Sequence, residues 1–377
     1  MRTLHLPSLP HTTLTERNLT CAYSQKVHKF ARMMSAAGFQ VILYGPDLVD
    51  ENVVAAVDEH VVVATQADRE RWGFGDGFDT ANQEFQWTAS EPYWFEMNQR
   101  VTDAMGQRLA HRPGEYVCLI AGWTQQPIAA AVCGANYRNP PAVEWGVGYL
   151  GIFTDFCAFE SYSHQHTVYQ NHDPKIEDGR AFDAVIPNFF DPDDFYVEDE
   201  RDDYLLFMGR VIERKGVQVA ADIAARTGRR LLVAGPGPTE WCSERIVAPE
   251  ITVTGPVEYV GEVRRADRAE LMAKAHAVLV PTLYIEPFGG VAVEAMMSGA
   301  PVVATDWGSF AEIVTPDVGR RFRTLRQGVE AVEEVGALDG QEIRRQAVRR
   351  YGLTAVGQMF TRWFDSLDTL WGDGWYA

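Results

Sequence analysis

Short apolar runs alternate with helical patterning along this 377-residue chain, and the series starts twice. Runs with almost no polar break suit strands covered on both faces, which means a parallel sheet flanked by helices. In the first half they are residues 3–6, 39–44, 61–64 and 116–121. Between the first two, Val27, Phe30, Ala31, Met34 and Ala37 recur at helical spacing, and Gly38 closes that helix. Helical pattern returns over 95–109. The aromatic stretch from Trp72 to Phe95 (Phe74, Phe78, Phe85, Trp87, Tyr93 and Trp94 within it) has no clear period and reads as a buried cluster or a stacking surface.

Near residues 186–191 the texture changes. Residues 191–203 carry eight acidic side chains beside Pro192, a solvated connector. The second series then places strands at 204–208, 231–234, 251–254, 257–260, 277–280 and 301–304. Helices are expected over 217–225, through 271–275 and over 288–298. The tail repeats Val356, Phe360, Trp363, Phe364, Leu367, Leu370 and Trp371, a long amphipathic helix that needs an apolar partner. The expected architecture is α/β: two Rossmann-like, doubly wound domains facing each other across a cleft. Residues 1–187 form the first, 188–352 the second, and 353–377 a helix returning to the first.

Charge and cysteine usage exclude several classes of function. There are 52 acidic against 34 basic residues, a net charge of −18. Such a surface repels nucleic-acid backbones and anionic lipid, so tight nucleic-acid binding is not expected. No stretch reaches the roughly 18 apolar residues of a membrane span, and residues 1–14 lack a secretory pattern. Five dispersed cysteines, none in a C-x-x-C pair, indicate reduced thiols and a cytoplasmic protein.

Three clusters fall at strand-to-helix junctions of the second half, where doubly wound sheets bind ligands. The first is residues 209–216, Gly-Arg-Val-Ile-Glu-Arg-Lys-Gly. Its glycines allow sharp turns, and Arg210 and Lys215 can aim two cations at one anion. Only five lysines exist in the chain (Lys26, Lys29, Lys175, Lys215 and Lys274), which gives Lys215 weight; a surface turn with incidental charge is the alternative. The second is residues 286–294, Glu-Pro-Phe-Gly-Gly-Val-Ala-Val-Glu. Pro287 suits a first helical turn, and Gly289 and Gly290 leave a helix N-terminus bare for a diphosphate. Glu286 and Glu294 suit sugar hydroxyls, because a carboxylate accepts two directed hydrogen bonds. A cap at Glu286 and a solvated Glu294 are the alternative, but Glu294 lies among apolar neighbours and needs a partner. The third is residues 305–312, read as supporting architecture that also borders the cleft; a helix entry with Ser309 as N-cap and Glu312 completing a capping box is the alternative.

In this order the clusters resemble the retaining glycosyltransferases of the GT-B fold, specifically glycosyltransferase family 4. The matches are Gly209-Arg210 with Lys215-Gly216, the E-x7-E pair Glu286 and Glu294, and residues 299–305, with residues 186–188 and Asp191 resembling the entry into the second domain. The resemblance implies transfer of a sugar from a nucleotide-diphosphate sugar to a glycan, small-molecule or modified-polymer acceptor. It implies front-face attack with retention, no metal and no other cofactor. Arg210 and Lys215 would neutralise the diphosphate, and Glu286 would hold the transferred sugar. Gly209, Phe288, Gly289, Gly290 and Val291 would line the donor site, and Glu294 would bind ribose hydroxyls. Two readings compete on the same residues, a nucleotide-sugar epimerase and a sensor that binds without turnover.

The first half departs from the family pattern. The loop after its first strand has no glycine, so the hydroxyls of Thr12 and Thr13 are the candidates there. His164, in a helical stretch with His166, is a candidate cleft histidine, and the acceptor base is expected near Val260. Residues 146–151 do not fit a dinucleotide loop and read as a turn on the acceptor side.

Overall fold

The computed structural model describes residues 1–15, 21–75, 85–134, 136–172, 179–263 and 265–369; Phe78, Lys175, Leu370 and Trp371 lie outside these. The chain divides into two compact units. One comprises Met1–Glu160, Gln165–Phe189 and the tail from Val356; the other comprises Ser161–His164 and Phe190–Ala355. Ser161–His164, expected in the first domain, thus groups with the second.

Among the described residues the first unit builds one parallel sheet from β1 (Thr3–Pro7), β2 (Gln40–Pro46), β3 (Glu59–Ala64), β4 (Glu115–Leu119), β5 (Ala142–Val147), β6 (Cys157–Phe159) and β7 (Ala184–Val185). The order is β3-β2-β1-β4-β5-β6-β7. Each strand pairs parallel with its neighbours, as strands joined by helical crossovers must. The helix Ala22–Ala36 buries Val27, Phe30, Ala31 and Met34 of the stripe that its spacing predicts, while Ala37 caps the helix and is exposed. The tail helix Leu353–Asp368 finds its apolar partner in this unit from Val356 onward. Phe360 meets Phe30 edge-on at 5.0 Å, Phe364 lies 4.8 Å from Tyr116, and the Trp363 indole donates to the Phe182 carbonyl at 2.7 Å.

The second unit runs β8 (Tyr204–Met208), β9 (Arg230–Ala234), β10 (Glu240–Cys242), β11 (Arg245–Ala248), β12 (Ile251–Thr254), β13 (Val257–Gly261), β14 (Ala277–Val280), β15 (Val302–Thr305) and β16 (Gly319–Phe322). Six form a parallel sheet in the order β13-β9-β8-β14-β15-β16, while β10, β11 and β12 form a separate antiparallel sheet. Strand β10 is exposed throughout and has no apolar run, which is why the sequence does not reveal it. Two buried clusters cover the parallel sheet, one centred on Leu206, Val278 and Met296, the other on Leu205, Leu231 and Ile223.

In each parallel sheet the connections turn outward in opposite directions from one pair of strands, β1 and β4 in the first unit, β8 and β14 in the second. The crevice at the carboxyl ends of such a pair is where doubly wound sheets receive ligands. Among the described residues no helix is long and apolar enough to cross a membrane.

Candidate active site

The loop after β8 and the loop after β14 meet at the second unit's crevice, and backbone sterics bring them together. Gly216 adopts φ +74° at the start of the helix Val217–Thr227, and a Cβ there would collide with the Pro281 carbonyl. Only glycine permits that approach. The Leu283 amide then donates to the Arg214 carbonyl at 2.9 Å, joining the two loops. Lys215 Nζ consequently reaches Glu286 Oε2 at 2.7 Å.

The same carboxylate oxygen accepts the Tyr284 hydroxyl at 2.6 Å. Above the Tyr284 ring stand two cations, with Arg214 Cζ at 3.9 Å and Lys215 Nζ at 5.1 Å from its centroid. Burial and the neighbouring Glu286 push the Tyr284 phenol up, while Arg214 and Arg210 act in the opposite direction. Tyr284 is therefore a neutral donor at physiological pH. Arg210 itself is exposed, directly after Gly209. The loop thus presents Arg210, Arg214 and Lys215, the last of them at the Glu286 carboxylate.

Gly289 adopts φ +82° and the helix Gly290–Met297 begins immediately after it. A Cβ on Gly289 would run into the Phe310 ring, so the glycine is sterically required. Pro287 and Phe288 precede the helix, contrary to the expectation of a first-turn proline and a helix from 288. Their carbonyls are engaged instead: Ser161 Oγ donates to Pro287 at 2.6 Å and Ser309 Oγ to Phe288 at 2.7 Å. The first helical amides, of Gly290 and Val291, have no intrahelical partner and carry the positive end of the helix dipole. They front the crevice from the β14 side.

Glu294 has the partner that its apolar surroundings demand. Arg268 Nε donates to Glu294 Oε2 at 2.8 Å, and Arg268 Nη2 reaches the same oxygen. Sequence reading missed Arg268 because the helical pattern was legible only from Leu271, whereas the helix runs Arg265–Lys274. Tyr284 and Arg214 were also missed. The signal available for them was position alone, an aromatic two residues before Glu286 and a second cation beside Lys215.

The capping box expected at residues 309–312 does not form. Ser309 is in a helical conformation with its hydroxyl on Phe288, and Glu312 accepts the amides of Tyr162 at 3.0 Å and Ser163 at 2.8 Å. His164 follows in that same turn, buried, its amide donating to Ser161 Oγ at 3.1 Å; it belongs to the second unit. Val260 packs its side chain against the hydrophobic core beneath β13 and supplies no titratable group. Thr12 and Thr13 lie in the first unit, buried, with the Thr12 hydroxyl on Ser24 and that of Thr13 2.9 Å from Thr15. Among the described residues no group of three or more His, Cys, Asp or Glu side chains could hold a metal ion.

Residues 202–334, the span that contains the loops after β8, β14 and β15, match the family model described as glycosyl transferases group 1. The likeness to group 1 glycosyl transferases lies in this segment. Its relatives include the phosphatidyl-myo-inositol mannosyltransferase of Mycobacterium tuberculosis, 30% identical over 210 residues, a match covering 49% of this chain and 54% of that protein. The chain therefore spans about half the length of the curated relatives it matches.

Similarity of fold extends beyond residues 202–334. AviGT4, a glycosyltransferase involved in avilamycin A biosynthesis, superposes with a TM-score of 0.63 at 21% identity over 98% of both chains. HepE of Anabaena, solved with UDP and glucose, gives 0.58 at 14% identity, covering 97% of this chain and all of that one. The fold of the whole chain is GT-B.

Proposed function

We propose that the chain is a retaining, metal-independent glycosyltransferase that moves a hexosyl group from a nucleotide-diphosphate sugar to a hydroxyl acceptor. One observation carries the reading: Lys215, after β8, and Glu286, after β14, meet at 2.7 Å beside the free amides of a glycine-fronted helix. That arrangement supports adjoining places for diphosphate and sugar at one crevice. The HepE structures were solved with UDP and with UDP-glucose, and the Mycobacterium relatives are named mannosyltransferases, which supports a hexosyl nucleotide as donor.

Lys215 carries three N–H donors and spends one on Glu286, leaving two for phosphate oxygens. Arg210, together with the amides of Phe288, Gly289, Gly290 and Val291, completes the anion site, while Gly209 keeps the loop clear. As the bond between the anomeric carbon and the phosphate oxygen breaks, negative charge grows on the departing diphosphate. Fixed cations and amides stabilise that charge more than the ground state, which is catalysis by preorganised electrostatics. The acceptor oxygen attacks from the same face, its proton passes to a phosphate oxygen, and the anomeric configuration is kept. Glu286 holds hydroxyls of the transferred sugar, and Glu294 the ribose.

The test is incubation with UDP-, GDP- and ADP-hexoses, reading thermal protection, donor hydrolysis and product anomer by NMR, with and without EDTA. Protection by one donor family, EDTA-insensitive turnover and a retained anomer are expected. Saturating donors that neither protect the protein nor are consumed would end the proposal. An inverted anomer or EDTA-abolished turnover would end its mechanistic part, and protection without transfer to any acceptor would leave only a binding protein.

A further inference from the structure

Glu294 lies in the helix Gly290–Met297 between the buried Val293 and Ala295, with 15% of its side chain exposed. A carboxylate so placed needs donors, and one side chain supplies both. Arg268, on the helix Arg265–Lys274, sends Nε and Nη2 to the same oxygen, Oε2. A guanidinium facing a carboxylate frequently spans both oxygens in two parallel bonds. Here it does not. Glu294 Oε1 has no donor among the described residues. Glu286 is divided the same way: Lys215 and Tyr284 both bind Oε2, and Oε1 is again without a donor among the described residues. Each carboxylate of the E-x7-E pair is thus fixed through one oxygen, with the other left over.

We propose that Arg268 is a positioning residue for ribose recognition, holding Glu294 so that Oε1 is free to accept a hydroxyl of the nucleotide's ribose. The inference rests on the donor reading above and adds the residue that makes Glu294 selective. A glutamate has three side-chain torsions, and fixing them before binding lowers the entropy lost when the ligand arrives. An arginine that served only to tie two helices together would influence folding and every ligand equally. One that acts through Glu294 influences only ligands with the hydroxyl.

The experiment compares dissociation constants of UDP, GDP and ADP with those of their 2′-deoxy and 3′-deoxy counterparts, for the wild type, Arg268→Ala, Arg268→Lys and Glu294→Gln. Because a hydrogen bond to a charged group is at stake, the wild type should prefer at least one ribose form over its deoxy form by about tenfold or more. Arg268→Ala should bring that ratio close to one by weakening the ribose form alone, and Arg268→Lys, a point charge without the fork, should fall between. In a Glu294→Gln background, Arg268→Ala should cost no further discrimination. Full ribose preference in Arg268→Ala, or equal weakening of ribose and deoxyribose forms, overturns the proposal. A wild type that binds a diphosphate without ribose preference also overturns it, while the donor reading stands. A wild type that binds none of the diphosphates removes both. Melting temperatures show which variants are folded; if Arg268→Ala is not, the Arg268→Lys ratio decides.

Discussion

Each unit begins its sheet in the same way and then furnishes the crevice oppositely. After β1, residues 8–14 are buried to the last one. His11 lies 4.0 Å from Phe85 and 6.0 Å from Trp87, ring centre to ring centre, and the Thr12 hydroxyl is bound to Ser24. After β8, residues 209–216 are a mixture of exposed, half-buried and buried positions, with Arg210 and Arg214 in solvent and Lys215 at Glu286. Topology supplies the crevice in both units. The loop sequence decides whether it is filled by the protein's own rings or kept open and charged for an anion. Fold alone would assign a ligand to either crevice; the diphosphate of the proposed donor suits the side-chain chemistry of only the second.

Lysine–glutamate pairs give the sharpest form of this contrast, because among the described residues each unit has one whose two side chains are largely covered. Lys215 and Glu286 are 24% and 13% exposed, and Tyr284 continues to serve Glu286 if the lysine is removed. Lys215→Ala is expected to lose about 2.7–4 kcal/mol in transition-state stabilisation, a fall of roughly 10²–10³ in kcat/KM, with a minor change in melting temperature. Steady-state kinetics with the preferred donor would check it. A variant with an unaltered rate would dissolve the distinction between the two crevices.

In the first unit, Lys26 bonds to Glu160 and to the Gly146 carbonyl, with exposures of 12% and 5% for the pair. Removing the cation strands a carboxylate in a dry site. Lys26→Ala is therefore expected to destabilise the fold by about 3 kcal/mol, and replacing both members, Lys26→Met with Glu160→Gln, should recover much of that loss. Denaturant unfolding of the single and double variants measures it. A melting curve like that of the wild type, accompanied by a collapse in kcat/KM, would make Lys26 part of a second charged site and erase the asymmetry.

The asymmetry also explains what the sequence makes legible. Residues 209–216 and 286–294 announce themselves because glycine, cation and carboxylate are neighbours in sequence, and because β8, β14 and β15 are unbroken apolar runs. Where a group is satisfied from afar, local pattern misleads. Glu294 meets Arg268 across 26 positions and Glu312 meets Tyr162 across 150. Neighbouring residues alone therefore leave Glu294 without a visible partner and make Glu312 resemble half of a capping box. Strand β5 was not foreseen for the same reason. Its polar Glu144 and its Gly146 interrupt the apolar run, yet Glu144 is buried and saturated by the amides of Phe153 and Thr154 and the Tyr149 hydroxyl. The aromatic stretch, ambiguous as sequence, is mostly a cluster among itself: Phe85 contacts Phe74, Trp87, Tyr93 and Trp94.

The smallest expected effect tests whether the first crevice is as dry as its packing implies. Burial lowers the His11 imidazole from 6.5 to about 3. Above pH 6.5 the ring is neutral in both folded and unfolded chains and contributes no pH dependence. Between 6.5 and about 3 the unfolded chain binds a proton that the folded chain refuses, so stability present at neutral pH is lost as pH falls through that window. The slope from one such group approaches about 1.4 kcal/mol per pH unit. Below pH 5 the carboxylates add their own slopes, so the informative measurement is the difference between the wild type and His11→Phe from pH 6.5 to 5. His5 is also held low by burial, but it titrates identically in both proteins and cancels. A wild type that loses stability faster than His11→Phe over that range means the loop after β1 excludes water. Parallel curves would mean that water reaches the histidine, and the first crevice would then be open ground for a polar ligand, as the second is.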